Sequence, residues 1–325
     1  MSEKITILSG KAPYYYYERR AKIFYKTFLK KFRGYNPSPG ELAMYGGHYG
    51  VTRSIIEGLQ KIGYTNFNYN PSSLSKIGDT VLVVGGIPAL QQAIKWKRSG
   101  KIKQLIAGPN LCILPTDYIE ISAPEINTYI VHADWNVEQY ENLCPALKGK
   151  MAKWPVGIDI NYWKPQEDQL KTGKKILFYK KNVEEYLYNE CLTIAKKNGF
   201  EVIELIRGGY SFDQYKNLLN EVDFLIHFAN SESQGISLAE AWGMNVPTMV
   251  FNPGIWSYKG YNFPCSSAPL LTDNTGHFFN DSRAFEGLFQ TNKFSSELYA
   301  PRQWTTENLT DERSAAILLN IINAK

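Results

Sequence analysis

A stretch late in the chain constrains the fold most, because it joins a buried strand, a glycine loop, a short helix and a second strand. The apolar run from Asp223 to Phe228 predicts a buried strand of a parallel sheet. Helical character begins near Gly235 and ends before Pro247, and residues 248–251 predict the next strand. Ligands of open α/β sheets bind at the carboxyl ends of the strands. The loop between these elements is therefore the first candidate binding site.

This loop sets two carboxylates, Glu232 and Glu240, on either side of a helix start. The first turn of a helix has N–H groups without intrahelical partners and a partial positive charge, so it can hold a phosphate group. Glu240 can accept hydrogen bonds from both hydroxyls of a ribose, and Glu232 can reach a sugar. The pattern indicates a sugar-nucleotide site; the alternative is a solvated glutamate and a helical glutamate paired with a lysine. The predicted substrate-binding residues here are Ser233, Gln234, Gly235, Ile236, Ser237 and Glu240.

These residues resemble the signature of the retaining glycosyltransferases of family four, which have the GT-B fold. That signature is Glu-Gly-Phe-Gly, four residues, Glu-Ala-Met and then Gly-x-Pro. Here Glu232 is followed by seven residues, Glu240 and Ala-Trp-Gly-Met-Asn-Val-Pro247. The run from Trp154 to Pro165 is similar to the segment that joins the two domains of that family. The resemblance covers the C-terminal half well and the N-terminal half weakly.

Strand and helix patterns alternate on both sides of Pro155–Pro165, which predicts two parallel α/β domains. A chain of 325 residues is long enough for two cores. The resemblance implies the GT-B architecture, in which two Rossmann-like domains face each other across a cleft. We expect an acceptor-side domain at residues 1–155 and a nucleotide-sugar domain at 156–300. Residues 301–325 are expected to supply a helix that returns to the N-terminal domain.

The resemblance also implies an activity, which is transfer of a hexose-like sugar from a UDP- or GDP-linked donor to a glycan or lipid-linked acceptor hydroxyl. Transfer would retain the anomeric configuration and need no cofactor. Glu232 would orient the sugar, and Lys180 and Lys181 would stabilise the departing diphosphate. The chain contains no Asp-x-Asp, the pair that holds a divalent ion in the other large glycosyltransferase superfamily, so we expect no metal.

The sequence departs from the family at the first strand of the second half. The family has an arginine there and a Lys-Gly a few residues later, whereas this chain has Lys180 and Lys181 side by side, followed by Val183-Glu-Glu185. One lysine can replace the arginine, and the second cation stays unassigned. Arg207 follows another strand, where the base of the nucleotide lies in the family. It is either a contact to the base or an ordinary surface arginine.

The N-terminal half offers three further candidates. Gly46 and Gly47 match the diglycine loop that approaches the diphosphate in the family, although glycine pairs also make ordinary turns. The family often has a histidine that contacts the donor sugar; the corresponding strand end here carries Asn110, which we take as its substitute. Two histidines are not counted among the candidates. His132 is expected to be structural, and His227, in the C-terminal half, is expected to be a buried histidine with its hydrogen bonds satisfied.

Composition narrows the class of protein. Hydrophobic residues make up 44% and aromatic residues 14%, which is typical of a globular chain and not of a disordered one. The net charge of +5 suits a phosphorylated donor, and there is no nucleic-acid-binding motif. The four cysteines are scattered, which fits a reducing cytoplasm. No apolar run approaches the roughly 20 residues of a membrane-spanning helix, so we expect a soluble or peripheral protein.

The acceptor is the least constrained part of this prediction. Residues 19–33 carry basic and apolar side chains at helical spacing, so this segment could lie on a membrane that holds a lipid-linked acceptor. It could equally pack its apolar face on its own domain, and with Tyr14 to Tyr17 it could form an aromatic acceptor platform. Two other functions also stay open: a sugar-nucleotide epimerase or hydrolase of the same fold, and a non-catalytic partner that binds a nucleotide sugar.

Overall fold

A computed structural model describes residues 4–10, 24–29, 46–166, 174–208 and 210–324. The chain divides into two compact units. Unit 1 comprises Met1–Gly157 and Asp311–Lys325, and unit 2 comprises Ile158–Thr310. Both ends of unit 2 are joined to each other, because Ile158 and Thr310 form a parallel bridge and the Ile158 N–H donates to the Leu309 carbonyl at 2.9 Å.

The secondary structure alternates between strands and helices through most of both units. In chain order the strands are β1 (Ile5–Ser9), β2 (Phe67–Tyr69), β3 (Thr80–Gly85), β4 (Gln104–Ala107), β5 (Thr128–Val131), β6 (Met151–Lys153), β7 (Lys175–Asn182), β8 (Glu201–Ile206), β9 (Phe224–Ala229), β10 (Thr248–Phe251), β11 (Ile255–Tyr258), β12 (Tyr261–Pro264) and β13 (Gly276–Phe279). The helices are α1 (Gly47–Lys61), α2 (Ile87–Arg98), α3 (Asp134–Leu143), α4 (Glu185–Lys197), α5 (Phe212–Glu221), α6 (Ile236–Gly243), α7 (Ser282–Gln290), α8 (Pro301–Asn308) and α9 (Asp311–Asn323).

Unit 1 contains a six-stranded sheet in the order β2-β1-β3-β4-β5-β6, and all its strands pair in parallel. Strand β3, Thr-Val-Leu-Val-Val-Gly, is buried along its whole length. A continuous apolar run of this kind is what a parallel strand covered on both faces requires. The α/β class predicted from the sequence is confirmed.

The C-terminal helix α9 belongs to unit 1 and packs against α1. Gly58 of α1 permits this close approach, because a Cβ there would lie 2.5 Å from the Asp311 carbonyl oxygen. Asp311 is fully buried. Its carboxylate accepts hydrogen bonds from Nη1 and Nη2 of Arg53, at 2.7 and 2.9 Å, and from the Lys61 ammonium at 2.8 Å. The segment 301–325 thus holds two helices: α8 lies in unit 2 and α9 in unit 1.

Unit 2 contains a five-stranded parallel sheet in the order β13-β10-β9-β7-β8 and a separate antiparallel hairpin, β11–β12. Its strands bury side chains on both faces. Leu177 and Tyr179 belong to one apolar cluster, whereas Ile176 and Phe178 belong to another. Neighbouring residues of a strand point to opposite faces, so both faces of this sheet are covered.

The predicted amphipathic segment 19–33 lies largely outside the described residues, as does Tyr14 to Tyr17. Its described part, residues 24–29, is helical and exposes Phe24, Tyr25 and Phe28. Among the residues that the structure describes, no helix combines the length and the apolar character needed to span a bilayer.

Candidate functional site

The candidate site lies where the strand order of unit 2 reverses. The chain forms β7, adds β8 on one side of it and then adds β9 on the other side, so β7 and β9 are neighbours with connections that run in opposite directions. Doubly wound sheets bind ligands at the carboxyl ends of such a strand pair. Strand β7 ends with Lys180, Lys181 and Asn182, and β9 runs into the loop that carries Glu232.

The two lysines at the end of β7 have different partners. The pairing of β7 with β9 shifts register between Lys180 and Asn182, which leaves Lys181 outside the regular ladder. Bulges of this kind re-aim side chains, often beside functional sites. The Lys181 ammonium donates to Glu232 Oε1 at 2.6 Å, whereas Lys180 pairs with Glu185 and lies 4.5 Å from the centre of the Tyr188 ring.

Glu232 is a buried carboxylate with Lys181 and His227 as partners of one of its oxygens. Besides Lys181, Oε1 lies 3.2 Å from His227 Nε2, and the Glu232 backbone N–H donates to the Ser266 carbonyl at 2.9 Å. Burial by itself would raise the pKa of Glu232, but Lys181 and His227 outweigh it and lower the pKa to about 2. The carboxylate is therefore ionised near neutral pH.

His227 differs from the expectation that its hydrogen bonds would be satisfied. It is fully buried in β9 and stacks on Tyr179, with ring centroids 5.2 Å apart. Burial lowers its pKa despite the nearby Glu232 charge, so the neutral ring faces the carboxylate through Nε2, which must carry the proton to donate a hydrogen bond. Within the described residues Nδ1 has no hydrogen-bond partner. The ring is thus bound to Glu232 and not to backbone.

Gly235 shapes the start of α6. It has a left-handed backbone, φ +80° and ψ 62°, and a Cβ there would lie 2.8 Å from a methyl of Leu238. Both the conformation and the space favour glycine. The N–H groups of Leu238 and Ala239 bond to the Gly235 carbonyl, while those of the first turn, Ile236 and Ser237, precede the intrahelical ladder. Ser233 beside this turn is exposed, and Gln234 is buried.

Glu240 lies in the second turn of α6 and is 7% exposed. It is close to a cluster of three tyrosines: burial above all, and the Glu240 charge in addition, raise the pKa of Tyr215. The Tyr215 hydroxyl donates to the Ser237 carbonyl at 2.8 Å, and the Tyr210 hydroxyl donates to Tyr179 at 2.9 Å. Tyr215 is therefore bonded to the first turn of α6, a contact that the sequence prediction did not include.

Arg207 is exposed at the end of β8, and its backbone N–H donates to the Lys180 carbonyl at 3.0 Å. Its charge acts on Tyr179: burial raises the pKa of that hydroxyl to about 12, and Arg207 is among the groups that oppose the rise. Arg207 therefore lies on the same edge of the sheet as Lys180 and Lys181.

The remaining candidates lie in unit 1. Gly46 and Gly47 are exposed at the start of α1, Gly46 is extended with φ −170°, and a Cβ on either would meet nothing within 4 Å. The folded unit does not require glycine at these positions. Asn110 follows β4, donates its backbone N–H to the Val84 carbonyl at 3.0 Å, and has a buried Nδ2 without a partner among the described residues. His132 is buried and bonds the Trp154 carbonyl at 2.9 Å, which fits its predicted structural role.

No protein-family model matches this chain, and no curated protein sequence matches it. Solved structures match it in fold. HepE from Anabaena, solved with UDP and glucose, aligns with a TM-score of 0.56 at 9% identity over 99% of both chains. Sucrose-phosphate synthase from Thermosynechococcus elongatus aligns at 0.56 and 12% identity, over 99% of this chain and 98% of that one. The catalytic domain of starch synthase IV from Arabidopsis thaliana, bound to ADP and acarbose, aligns at 0.53 and 10% identity, over 86% and 78%.

The buried ion pair makes a prediction that needs no ligand. When the pH falls from about 5 to about 3, the unfolding free energy of the wild-type protein should decrease by about 2 kcal/mol more than that of a Glu232→Gln variant. The folded pKa of Glu232, about 2, lies below the ordinary value of a glutamate. Its stabilisation is therefore present above the unfolded pKa and is lost as the pH falls towards the folded one. Urea unfolding at both pH values, followed in unit 2 by hydrogen exchange, measures the difference.

Glu201 provides the control for this measurement. It is an exposed carboxylate on the opposite edge of the same sheet, 3.5 Å from Lys175. A Glu201→Gln variant should keep the pH dependence of the wild type. If the pH dependence of the unfolding free energy decreases equally in Glu232→Gln and Glu201→Gln, the contact between Glu232 and Lys181 has no special role.

At identities of 9–12% the structural matches to HepE, sucrose-phosphate synthase and starch synthase IV show the fold and not the activity. They cover both halves of the chain in HepE and in the synthase from Thermosynechococcus elongatus. The GT-B fold implied by the sequence resemblance is therefore confirmed: this chain has the two-domain GT-B fold.

Proposed function

We propose that this protein is a glycosyltransferase that moves a hexose-like sugar from a UDP- or GDP-linked donor to the hydroxyl of a glycan or lipid-linked acceptor. One observation carries the proposal: at the strand switch of unit 2, the ionised Glu232 is bonded to Lys181 beside the first turn of α6, and Glu240 is buried one turn further. The fold supports it, since HepE shares this fold and its structures hold UDP with glucose and UDP-glucose.

Each group has a chemical task in this proposal. The diphosphate binds at the first turn of α6, where the Ile236 and Ser237 N–H groups and the helix dipole favour negative charge. Glu240 accepts hydrogen bonds from the ribose hydroxyls, and Glu232 accepts one from the sugar. His227 is a positioning residue, because this fully buried ring contacts Oε1 and fixes the Glu232 side chain.

The charge that develops during transfer decides which cation matters. As the bond between the anomeric carbon and the leaving oxygen breaks, negative charge grows on the diphosphate, and preorganised donors stabilise it. Lys181 faces the Glu232 site, and Lys180 pairs with Glu185 instead, so we assign this task to Lys181. The acceptor oxygen attacks on the same face, and its proton passes to the leaving phosphate. The reaction is then retaining and needs no divalent metal.

Arg207, the two glycines at the start of α1 and Asn110 also enter the proposal. Arg207 lies at the neighbouring strand end and is exposed, as a contact to the base would be. At Gly46 and Gly47 neither the backbone nor the packing requires glycine, which is what the close approach of a ligand would explain. The buried Asn110 Nδ2 is available for a hydrogen bond to a sugar. A cytoplasmic location and a peripheral membrane contact through residues 19–33 remain predictions.

Thermal unfolding with UDP, GDP and a panel of their sugars tests the donor site. One nucleotide should raise the Tm, because a ligand at about 100 times its Kd adds about 2.7 kcal/mol to the unfolding free energy. The rise should be equal with magnesium and with EDTA, because the proposed site holds no divalent metal. A Glu240→Ala variant should lose this shift, since the ribose loses its carboxylate. Glu201→Ala, on the opposite edge of the sheet, should keep it.

Three results would contradict the proposal. They are the absence of a shift with every nucleotide, a shift that Glu240→Ala retains, and a shift that requires magnesium. Donor turnover that proceeds fully without any acceptor would instead indicate a hydrolase or epimerase.

A further inference from the structure

A buried tyrosine hydroxyl lies beside the carboxylates of the candidate site. Tyr179 is buried and comes directly before Lys180 near the carboxyl end of β7. It pairs in register with His227 of β9, so the two side chains share a face of the sheet, and their rings stack with centroids 5.2 Å apart. His227 in turn contacts Glu232 at 3.2 Å. Tyr179 is therefore separated by a single ring from the carboxylate of the proposed sugar site.

Charged groups on three elements act on the Tyr179 hydroxyl. Burial raises its pKa to about 12, the charges of Glu232 and Glu240 add to this rise, and Arg207 and the hydrogen bond from Tyr210 oppose it. These charges belong to the loop before α6, to α6 itself and to the end of β8. The hydroxyl therefore lies among the residues proposed to hold the donor, and it stays protonated near neutral pH.

The direction of its hydrogen bond leaves the Tyr179 proton for a further acceptor. The Tyr210 hydroxyl donates to the Tyr179 oxygen at 2.9 Å. A phenol that accepts one hydrogen bond can still donate its own proton. Within the part of the chain that the structure describes, no oxygen accepts this proton. Donation from Tyr210 also makes Tyr179 a stronger donor, because successive hydrogen bonds in a chain polarise one another.

Aromatic packing fixes the position of this hydroxyl. The Tyr179 ring lies 5.9 Å from that of Tyr210 and 6.2 Å from that of Tyr215, between centroids, and Tyr210 lies 5.3 Å from Tyr215. The Tyr215 hydroxyl donates to the Ser237 carbonyl at 2.8 Å. The three tyrosines therefore connect the end of β7 to the first turn of α6, where the diphosphate is proposed to bind.

We propose that the Tyr179 hydroxyl donates a hydrogen bond to a phosphate oxygen of the donor, and that Tyr210 is the positioning residue that directs its proton. This contact rests on the proposed function, because it requires a nucleoside diphosphate at the first turn of α6. Phosphate oxygens are charged and only accept, and hydrogen bonds to charged groups are roughly twice as strong as those between neutral groups. The ribose hydroxyls are neutral and are assigned to Glu240, so the phosphate is the better acceptor.

Two phenylalanine variants and one matched control test this contact. Tyr179→Phe removes the donor and keeps the ring, and Tyr210→Phe removes only the group that directs it. Tyr188→Phe is the control: the Tyr188 hydroxyl donates to Glu204 at 2.8 Å, and its ring belongs to the apolar cluster on the opposite face of the same sheet. Calorimetry measures the Kd of UDP and GDP, and competition with the diphosphate that binds measures the Kd of its nucleoside.

Tyr179→Phe should bind the diphosphate at least about tenfold more weakly than the wild type, a change of about 1.4 kcal/mol. Tyr210→Phe should weaken binding by a smaller factor, about threefold, because the Tyr179 proton is still present but is no longer directed or polarised. Tyr188→Phe should bind as the wild type does. The nucleoside has no phosphate, so its Kd should be equal in all four proteins.

Three results would overturn the phosphate contact. They are an unchanged diphosphate Kd in Tyr179→Phe, an equal weakening of the nucleoside, and an equal weakening in Tyr188→Phe. An equal weakening of the nucleoside would mean that the hydroxyl contacts the ribose or the base, or that it only supports the fold.

A double variant, Tyr179→Phe with Tyr210→Phe, separates binding from folding. Tyr179→Phe alone leaves the Tyr210 hydroxyl without its acceptor, which lowers the Tm of the unliganded protein, whereas the double variant removes both hydroxyls and should recover Tm. Its diphosphate affinity should stay as low as that of Tyr179→Phe. Recovery of diphosphate binding together with Tm would show that Tyr179 acts through the fold alone, which overturns the contact.

Failure of this contact can be told apart from failure of the proposed function. A wild type that binds no nucleotide rejects both. Diphosphate binding that Tyr179→Phe weakens, in a protein that transfers no sugar, supports the contact and rejects the transferase. Sugar transfer with an unchanged diphosphate Kd in Tyr179→Phe supports the transferase and rejects the contact.

Discussion

Replacing Asp311 with alanine is expected to lower the unfolding free energy of unit 1 by about 3–5 kcal/mol, the usual cost of leaving a buried charge without its partner. Asp311 is fully buried, and Arg53 and Lys61 both bond to it. Burial would lower the pKa of Arg53, but Asp311 and then Glu57 raise it above its ordinary value, so the guanidinium stays charged. Without Asp311, Arg53 and Lys61 both lose this carboxylate, and Arg53 keeps its contact with Glu57 at 3.1 Å.

Hydrogen exchange resolves this effect, because it reports on peptides of unit 1 and of unit 2 separately. Glu312→Ala is the matched control: it removes the neighbouring carboxylate from the same helical turn and should cost only about 0.3–1 kcal/mol. A double variant, Arg53→Met with Asp311→Leu, should recover much of the loss, because apolar side chains of similar size can replace a buried pair. Equal effects of Asp311→Ala and Glu312→Ala would contradict the assignment of the stability to the buried network.

Some elements could be read from the sequence with accurate bounds. The sequence predicts a helix over Phe212 to Glu221, and helix α5 has these bounds, because Ser211 and Gln214 form a capping box at its start. It also predicts strands at residues 104–107 and 128–131, which are the bounds of β4 and β5, since each is an apolar run between polar turns. The short strands β2 and β6 were missed, because three residues are too few to show a period.

The hairpin β11–β12 was missed for a different reason. Its sequence carries the expected signal, with aromatic residues in alternation on both sides of the two-residue turn Lys259-Gly260. The pair lacks the buried apolar run that is typical of a parallel strand, because its aromatic residues alternate with exposed ones.

The candidate site shows which information the sequence lacks. The positions of Glu232 and Glu240 follow from the loop and helix pattern, and the structure buries Glu232 in the loop before α6 and Glu240 within α6. Lys180 and Lys181 point to different faces, as neighbouring residues of a strand do. The register shift that leaves Lys181 outside the ladder with β9 leaves no mark in composition. The contact between His227 and Glu232 depends on how the loop folds back over β9, which local patterns do not encode.

Replacing Lys181 with methionine is expected to lower the turnover of the donor by about 100-fold or more, the usual effect of removing a preorganised group that stabilises transition-state charge. Lys180→Met is the matched control, since the adjacent lysine pairs with Glu185 and should change turnover by less than about tenfold. Release of the nucleoside diphosphate from the sugar nucleotide that raises the Tm measures turnover. Similar losses in both variants would contradict the assignment to Lys181.

A loss of turnover in Lys181→Met could also arise from damage to the fold, because the buried Glu232 loses its cation. A second substitution separates these causes. Lys181→Met with Glu232→Gln removes both charges and should recover stability, since no unpaired ion is left. Turnover should stay low, because a neutral site cannot stabilise the charge on the leaving diphosphate. Lys181→Arg keeps the charge and should retain part of the activity. Recovery of turnover together with stability in the double variant would show that Lys181 supports the fold and takes no part in the transfer.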